Sequence, residues 1–289
     1  MDPDAEALQA ASKKIASTIF TIVFTACYYQ QPETTAPPLI STKKDTNLKP
    51  AAADSVTVVQ AATSKKKKKT IYLTFDDGPN KGTRNVMNIV RSEAVPVTLF
   101  VVGEHVFGCA EQKNTYDSLR QCRYIEIANH SYTHAHCRYE KFYAAPDSVV
   151  HDFARCADSL GLQTGIVRTP GRNIWRTENI SSTDIKSSVA AADSLKQHGF
   201  VAVGWDVEWH FNQQLNLLST DEELLSKVDS VFAKGKTKTP NHLVLLAHDQ
   251  AYTDSGDSAH LHRFIQKLKF KDDYDFDFIS NYPNLKAAP

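Results

Sequence analysis

From Thr70 onward, short runs of apolar and β-branched residues alternate with longer segments whose apolar residues recur at helical spacing. The short runs predict seven strands: Thr70–Phe75, Val97–Val102, Tyr124–Ala128, Gly165–Arg168, Phe200–Trp205, His242–Ala247 and Phe276–Ile279. Strands that alternate with helices are typical of parallel βαβ units, and about seven such units favour a barrel-like closure over an open sheet. The pattern therefore predicts an α/β fold whose chemistry lies at the carboxyl ends of the strands.

The intervening segments carry helix boundaries that can be read directly. One helix is predicted over Thr83–Ala94, and another begins near Pro146, because proline is tolerated in the first turn. A third covers Ser187–His198 and stops at Gly199. Thr220 and Glu223 have the spacing of a capping box and predict a fourth helix start.

The chain before Thr70 has a different pattern. Lys13 and Lys14 precede a stretch of 12 residues, Ile15–Ala26, that is too short for a membrane-spanning helix of about 20 residues and suits a secretory signal. The Ala26-Cys27 junction resembles a bacterial lipobox, in which Cys27 is lipidated; an ordinary signal, an uncleaved anchor and a buried helix remain alternatives. Two features depart from that pattern, Phe24 in place of leucine and the acidic residues Asp2, Asp4 and Glu6.

Residues 28–69 are rich in Pro, Thr, Ser, Ala and Lys without periodicity, which is typical of a flexible linker. We therefore predict a signal segment at 1–27, a linker at 28–69 and a catalytic domain at 70–289. The protein is expected to be exported and held at the bacterial envelope through an N-terminal lipid.

Composition narrows the range of functions. The 289 residues include 33 basic and 33 acidic side chains, so a formal net charge of zero gives no reason to expect nucleic-acid binding. Apart from Cys27 there are four cysteines, which permit two disulfides or four free thiols: Cys109, Cys122, Cys137 and Cys156.

Two predicted strands end in groups that suit a metal. Asp76 and Asp77 follow the first strand, where adjacent carboxylates repel each other unless a positive charge holds them. The third strand ends in His130 and His134, whose i, i+4 spacing would place both imidazoles on one face of a helical turn. A carboxylate with two histidines leaves an open position for hydrolytic chemistry. His136 and Cys137 are rival ligands.

Three further strands end in polar or aromatic groups. Arg168 can neutralise a buried carboxylate, and the backbone N–H of Gly171 can approach a ligand closely. Trp205, Asp206, Glu208 and Trp209 follow the next strand, and aromatics beside carboxylates suit sugar binding. His248 ends an apolar strand. Single clusters of this kind are often structural, but their recurrence at successive strand ends predicts one active site.

This combination resembles the polysaccharide deacetylases of the NodB-homology type, a carbohydrate esterase family. The motifs that carry the resemblance are Thr74–Pro79, His130–His134 and Leu246–His248, and the similarity extends from Thr70 to about Ile279. It implies a distorted (β/α) barrel of about seven βα units and a hydrolase acting on acetylated glycans.

The resemblance also implies a role for each matching residue. Asp76 would be the general base, held by Arg168, and His248 the general acid. Asp77, His130 and His134 would bind one divalent metal, with zinc expected and cobalt or nickel as alternatives. Leu246 would line the acetyl-methyl pocket and Gly171 would offer its N–H to the oxyanion.

Two departures from the family pattern concern the substrate side. The family has an aromatic residue and then glycine after the Arg-x-Pro step, whereas Gly171 and Arg172 follow Pro170 here. The fourth motif is compressed, so that either Asp206 or Glu208 would tune His248, beside Trp209. The expected activity is N-deacetylation of a peptidoglycan or chitin-like glycan; the alternatives are an O-acetyl esterase of the acetylxylan type and a catalytically silent carbohydrate-binding lipoprotein. The sequence does not fix the oligomeric state.

Overall fold

The computed structural model describes residues 68–285, all within one unit that extends from Thr63 to Pro289. The predicted signal, the lipidation site at Cys27 and almost all of the linker lie outside the described residues. Within 68–285, no helix is both long enough and apolar enough to cross a bilayer.

Ten strands form one sheet: β1 (Lys69–Gly78), β2 (Val97–Val101), β3 (Ile125–Asn129), β4 (Ile166–Val167), β5 (Ile174–Arg176), β6 (Ser181–Thr183), β7 (Val201–Ala202), β8 (Val207–Glu208), β9 (His242–His248) and β10 (Tyr274–Phe276). The strand order is β6-β5-β7-β4-β3-β2-β1-β9-β8, and β10 pairs with the beginning of β1. All pairings are parallel except those of β5 with β6 and with β7.

Eight helices accompany the strands in the described part of the chain: α1 (Thr83–Glu93), α2 (Gly103–Val106), α3 (Ala110–Arg120), α4 (Tyr139–Tyr143), α5 (Pro146–Leu160), α6 (Val189–Gln197), α7 (Asp221–Ala233) and α8 (Ser255–Phe270). The α/β barrel prediction is confirmed, with a qualification about closure. Strands β6 and β8 end the path of the sheet and do not pair with each other in the described residues, so the sheet is a curled, incomplete barrel.

Strand β1 is buried on both faces, and its alternating side chains enter two different cores. Ile71, Leu73 and Phe75 belong to the core that α1 and α8 also line, whereas Tyr72 packs with residues of β2, β7 and β9. Because side chains alternate along a strand, Asp76 shares the face of Tyr72 and Thr74. Asp76 therefore lies at the carboxyl end of the inner face.

The four cysteines of the described residues are unpaired, and the last predicted strand is shifted along the chain. Cys109, Cys122, Cys137 and Cys156 are all free, so the two-disulfide alternative is wrong. The strand predicted over Phe276–Ile279 is instead β10, two residues earlier, followed by a 3₁₀ turn at Ile279–Asn281.

Candidate active site

Polar residues at the ends of β1, β3 and β9 line one cleft of about 570 Å³, and Arg168 lies buried behind Asp76. Asp76 and Asp77 come from the end of β1, His130 directly follows β3, Arg168 directly follows β4, and His248 ends β9. Asp76 and His248 are register partners on adjacent strands. The parallel sheet brings these groups together because the carboxyl ends of its strands lie at the same edge.

Asp76 is held by a fully buried arginine. Arg168 donates from Nη1 to the Asp76 carboxylate over 2.9 Å and to the Thr74 hydroxyl over 2.6 Å. Its Nε and Nη2 atoms donate to the carbonyl oxygens of Val203 and Gly204. These four hydrogen bonds fix the arginine, which in turn fixes the orientation of the carboxylate.

Asp77, His130 and His134 form a group with the geometry of a metal site. The Asp77 Oδ1 atom lies 3.3 Å from His130 Nε2 and 3.1 Å from His134 Nε2, and the three atoms lie within 4.8 Å of one another. Asp77 Oδ1 is buried and has no well-formed hydrogen bond in the described residues. One carboxylate and two imidazoles are ligands that zinc and similar cations accept, so the residues fit a divalent metal.

The electrostatics of this group favour a positive charge beside the carboxylates of Asp76 and Asp77. His130 Nδ1 lies 2.9 Å from the Arg168 carbonyl oxygen, which can only accept a hydrogen bond, so Nδ1 carries a proton and Nε2 is left to face Asp77. Although burial raises the pKa of Asp77, the adjacent imidazoles of His130 and His134 hold that pKa well below its usual range. Burial lowers the pKa of His130, but the carboxylates of Asp76 and Asp77 raise it overall.

The backbone around these three residues is unusual. Asp77 has a φ of 75°, and four consecutive residues of the turn His134–Cys137 also have positive φ. The residues between His130 and His134 form no helix, and Ser131 among them has a φ of 65°, so the two histidines do not share the right-handed helical turn that their spacing predicted. The carbonyl of Asp77 is hydrogen-bonded to His105 Nδ1 at 2.6 Å, and Gln250 donates to Asp77 Oδ2 over 3.2 Å.

The surroundings of His248 differ from the sequence prediction. Asp206 accepts hydrogen bonds from the backbone N–H groups of Lys238 and Val244 and does not line the cleft. Glu208 lines the cleft, but its carboxylate lies 3.2 Å from His210 Nδ1. Within the described residues His248 Nδ1 has no hydrogen-bond partner. Neither Asp206 nor Glu208 therefore hydrogen-bonds to His248 Nδ1 in the described residues, and the expectation that one of them tunes His248 stays a prediction.

Of the other residues predicted for the site, some line the cleft and one lies in the hydrophobic core. Leu246 and Gly171 line the cleft, as does Trp205. Trp209 does not: it is 1% exposed, donates to the Ser219 carbonyl and packs against Tyr252 and Phe264. Its predicted contact with substrate is therefore wrong.

The rival metal ligands also take different positions. His136 points to Glu104, with its Nε2 2.9 Å from the carboxylate. Cys137 lines the cleft but does not belong to the group of three that could hold a metal.

Several cleft residues carried no recognisable pattern in the sequence: His105, Tyr139, Thr169, Phe211 and Gln250. Most of them lie in short turns or loops beyond the strand ends, where hydrophobic periodicity gives no information. Phe211 packs edge-on against the ring of His248 with centroids 5.1 Å apart.

Comparisons with known proteins point to polysaccharide deacetylases. Residues 63–175 match the model of a family described as polysaccharide deacetylase. A chitin disaccharide deacetylase from Vibrio alginolyticus is 24% identical over 315 residues, covering 76% of this chain and 73% of the relative. A bifunctional xylanase/xylan deacetylase from Cellvibrio japonicus is 27% identical over 188 residues; the aligned part is 63% of this chain but only 23% of that relative's length.

One solved structure shows the same fold. The catalytic domain of a peptidoglycan N-acetylglucosamine deacetylase from Eubacterium rectale superposes with a TM-score of 0.53 at 22% identity. The match covers 83% of this chain and 99% of that one. At this level of identity, the likeness concerns the fold alone.

Proposed function

We propose that this chain, whose residues 63–175 match the polysaccharide deacetylase family model, is a metal-dependent hydrolase that removes N-acetyl groups from an amino-sugar glycan. The substrate class is that of a peptidoglycan or chitin-like polymer or oligomer. The observation that carries the proposal is the juxtaposition of an arginine-held carboxylate, Asp76, with the ligand group at Asp77 on one side and His248 on the other.

Each of these cleft residues has a separate role in the proposed amide hydrolysis. A divalent cation held by Asp77, His130 and His134 would polarise the acetyl carbonyl and make water a better nucleophile. Asp76 is placed to accept a proton from that water, since Arg168 fixes its carboxylate at the edge of the ligand group. His248 donates a proton to the leaving nitrogen, and Gly171 offers its backbone N–H to the developing oxyanion. Leu246 packs against the acetyl methyl group.

O-deacetylation is the second candidate function. The relative from Cellvibrio japonicus is described as a xylan deacetylase. In addition, His248 has no carboxylate partner among the described residues. A carboxylate would stabilise the imidazolium, which matters most for an amine leaving group, so its absence favours an ester more than an amide.

Export to the bacterial envelope is a further part of the proposal. It rests on the sequence before the described residues, where Ala26-Cys27 follows an apolar stretch of 12 residues. Lipidation of Cys27 would place the cleft near polymeric envelope glycans at the end of a linker.

Acetate release tests the activity. The full chain, incubated with zinc, is expected to release acetate from chitin oligomers or peptidoglycan faster than from acetylated xylan. Release from xylan alone would replace the first candidate by the second, and no release from either class would contradict both.

Metal content tests the ligand set. Wild-type protein is expected to contain about one divalent metal per chain by elemental analysis, and the double substitution His130→Ala, His134→Ala is expected to remove it. His151→Ala, an exposed histidine on α5, is the control. Equal metal in the double variant and the wild type would rule out this ligand set.

A further inference from the structure

Tyr139 is the first residue of α4 and lies on the wall of the cleft beside the ligand group. Its ring meets the ring of His134 edge-on, with centroids 5.9 Å apart and planes at 85°. On its other side it covers Gly171. Tyr139 therefore contacts both His134 of the ligand group and Gly171, whose backbone N–H is proposed to bind the oxyanion.

The contact with Gly171 is unusually close. A Cβ atom placed on Gly171 would lie 3.0 Å from two atoms at the hydroxyl-bearing end of the Tyr139 ring and 3.1 Å from a third. Gly171 also has a φ of 61°, a conformation that other residues adopt at a cost. The space that a side chain at position 171 would use is thus filled by an aromatic ring from a different element.

Arg172 packs against the ring of Tyr139. The guanidinium of Arg172 lies 5.6 Å from the centroid of the Tyr139 ring and 5.5 Å from that of Tyr143, and its Nη1 donates to the Gly171 carbonyl over 2.8 Å. Cations at this distance from an aromatic face attract it. Tyr139, Gly171 and Arg172 form one packed unit, so the position of the ring is fixed before any ligand arrives.

We propose that Tyr139 contacts the substrate and forms the wall of the cleft on the side of Gly171 and His134, packing its ring against the sugar that carries the acetyl group. This inference rests on the proposed function. An aromatic face suits the apolar C–H surface of a pyranose, and the phenol hydroxyl can donate to a sugar oxygen. Burial raises the pKa of this hydroxyl to about 12, so it keeps its proton at all physiological pH values.

Kinetics of three variants test the inference. Tyr139→Ala is expected to lower kcat/KM on a chitin pentamer by about 10-fold, mainly through KM, which is the scale of one lost aromatic contact. Tyr139→Phe should keep most of the activity, because it retains the ring. Tyr124→Ala is the matched control: Tyr124 is also partly exposed and also lies against an arginine, Arg123, but it is outside the cleft.

Two measurements separate substrate contact from a structural role. Metal content and melting temperature should be the same in Tyr139→Ala as in Tyr124→Ala, because neither tyrosine is a ligand. Loss of metal, or a large fall in melting temperature, in Tyr139→Ala alone would show that the ring supports His134 rather than the sugar, and would overturn the inference.

A double substitution tests the contact with Gly171. Gly171→Ala should displace the Tyr139 ring and impair binding, whereas in the Tyr139→Ala background the same change meets no ring. The two effects are therefore expected to be less than additive. Full additivity would contradict the proposed wall.

Direct binding separates this inference from the proposed function. Calorimetric titration of the metal-free protein with the chitin pentamer measures binding without turnover. If the wild type releases no acetate, the proposed function fails, but Tyr139→Ala must still bind the pentamer about 10-fold more weakly. Equal binding by the wild type and Tyr139→Ala would overturn the inference whatever the activity.

Discussion

Asp76 and His248 are register partners on adjacent parallel strands, yet their immediate surroundings are opposite in character. Asp76 has a buried guanidinium against its carboxylate. His248 has the edge of the Phe211 ring against its imidazole and an unpartnered Nδ1 within the described residues. Arg168 therefore fixes the orientation of the Asp76 carboxylate, whereas the buried Nδ1 atom of His248 makes no hydrogen bond in the described residues. These surroundings match the proposed roles of base and acid.

Substitution of either residue should separate chemistry from metal binding. Asp76→Asn and His248→Ala are each expected to lower kcat on an N-acetylated oligosaccharide by on the order of 10²-fold or more, the usual scale for general acid–base catalysis. Both variants should keep their metal, because neither residue is a proposed ligand. Rates of acetate release and elemental analysis measure the two properties.

The controls for this experiment lie on α5. Asp158→Asn and His151→Ala change exposed residues of the same types and should leave kcat unchanged. If His248→Ala deacetylates the N-acetylated substrate at the wild-type rate, another group donates the proton. A loss confined to amides, with esters unaffected, would support the assignment of His248 as the acid.

The residues that the sequence predicted well are those attached to regular strands. Asp76, Arg168 and His248 lie at or directly after strand ends, and the alternating pattern of apolar runs marked those ends. Tyr139 and Phe211 could not be predicted, since Tyr139 begins the five-residue helix α4 and Phe211 lies in an isolated β-bridge, both too short to show periodicity. Trp209 was assigned to the substrate because it lies beside carboxylates after a predicted strand, but its side chain enters the core.

At the level of elements, two helix starts with specific chemistry were predicted, whereas two helices with irregular apolar spacing were not. The capping box of Thr220 and Glu223 is present at the start of α7, and α5 begins at Pro146. α3 and α8 were missed because polar residues interrupt their apolar stripes. The antiparallel pair β5–β6 was also missed, since its strands have only three residues each.

Two helix ends offer a reciprocal test of backbone strain. Ala94 follows α1 with a φ of 54° and is exposed, while Gly161 follows α5 with a φ of 61° and has open space around it. The left-handed conformation costs a non-glycine residue roughly 1–2 kcal/mol, which exceeds the entropic cost of glycine. Ala94→Gly should therefore raise the free energy of unfolding by about 0.5–1 kcal/mol, and Gly161→Ala should lower it by about 1 kcal/mol.

Denaturant titration of both variants measures these changes. Because the two sites share a conformation but carry opposite residues, an effect of helix propensity alone would favour alanine at both. Opposite signs at the two sites would support strain as the cause; a gain in stability from alanine at position 161 would contradict it.

At the scale of the whole molecule, one prediction concerns the segment outside the described residues. If Cys27 is lipidated, Cys27→Ser should leave the membrane fraction or accumulate as the unprocessed chain, and its mass should lack the lipid. Cys109→Ser, at an exposed cysteine of the folded domain, is the control and should fractionate as the wild type does. Unchanged mass and fractionation of Cys27→Ser would indicate an ordinary signal or anchor.

The pH dependence of the free energy of unfolding depends on one buried carboxyl group, that of Asp249. Asp249 is fully buried next to His248 and accepts hydrogen bonds from Asn80 and Thr83, the residues that follow the Asp76–Gly78 turn. Burial raises the pKa of Asp249 to about 7, opposed by the donors Thr83 and Asn80 and reinforced by the negative charges of Asp77 and Asp76. The folded protein thus keeps this proton at pH values where an unfolded chain has lost it.

Whether stability rises or falls with pH follows from the number of protons that the folded and unfolded states bind. Below pH 4 both states hold the proton, because the ordinary pKa of the group is 3.8. Between about pH 4 and 7 the unfolded state releases it while the folded state does not, so the metal-free protein should lose stability as pH rises through this window and stop losing it above pH 7.

Asp249→Asn removes the titration while preserving both hydrogen bonds, since its amide oxygen can accept from Asn80 and its NH₂ can donate to Thr83. Free energies of unfolding measured with a chelator present, from pH 4 to 8, should therefore fall less steeply in Asp249→Asn than in the wild type, and Asp158→Asn should follow the wild type. Parallel curves for Asp249→Asn and the wild type would show that Asp249 is ionised in the folded state and that its pKa is not raised.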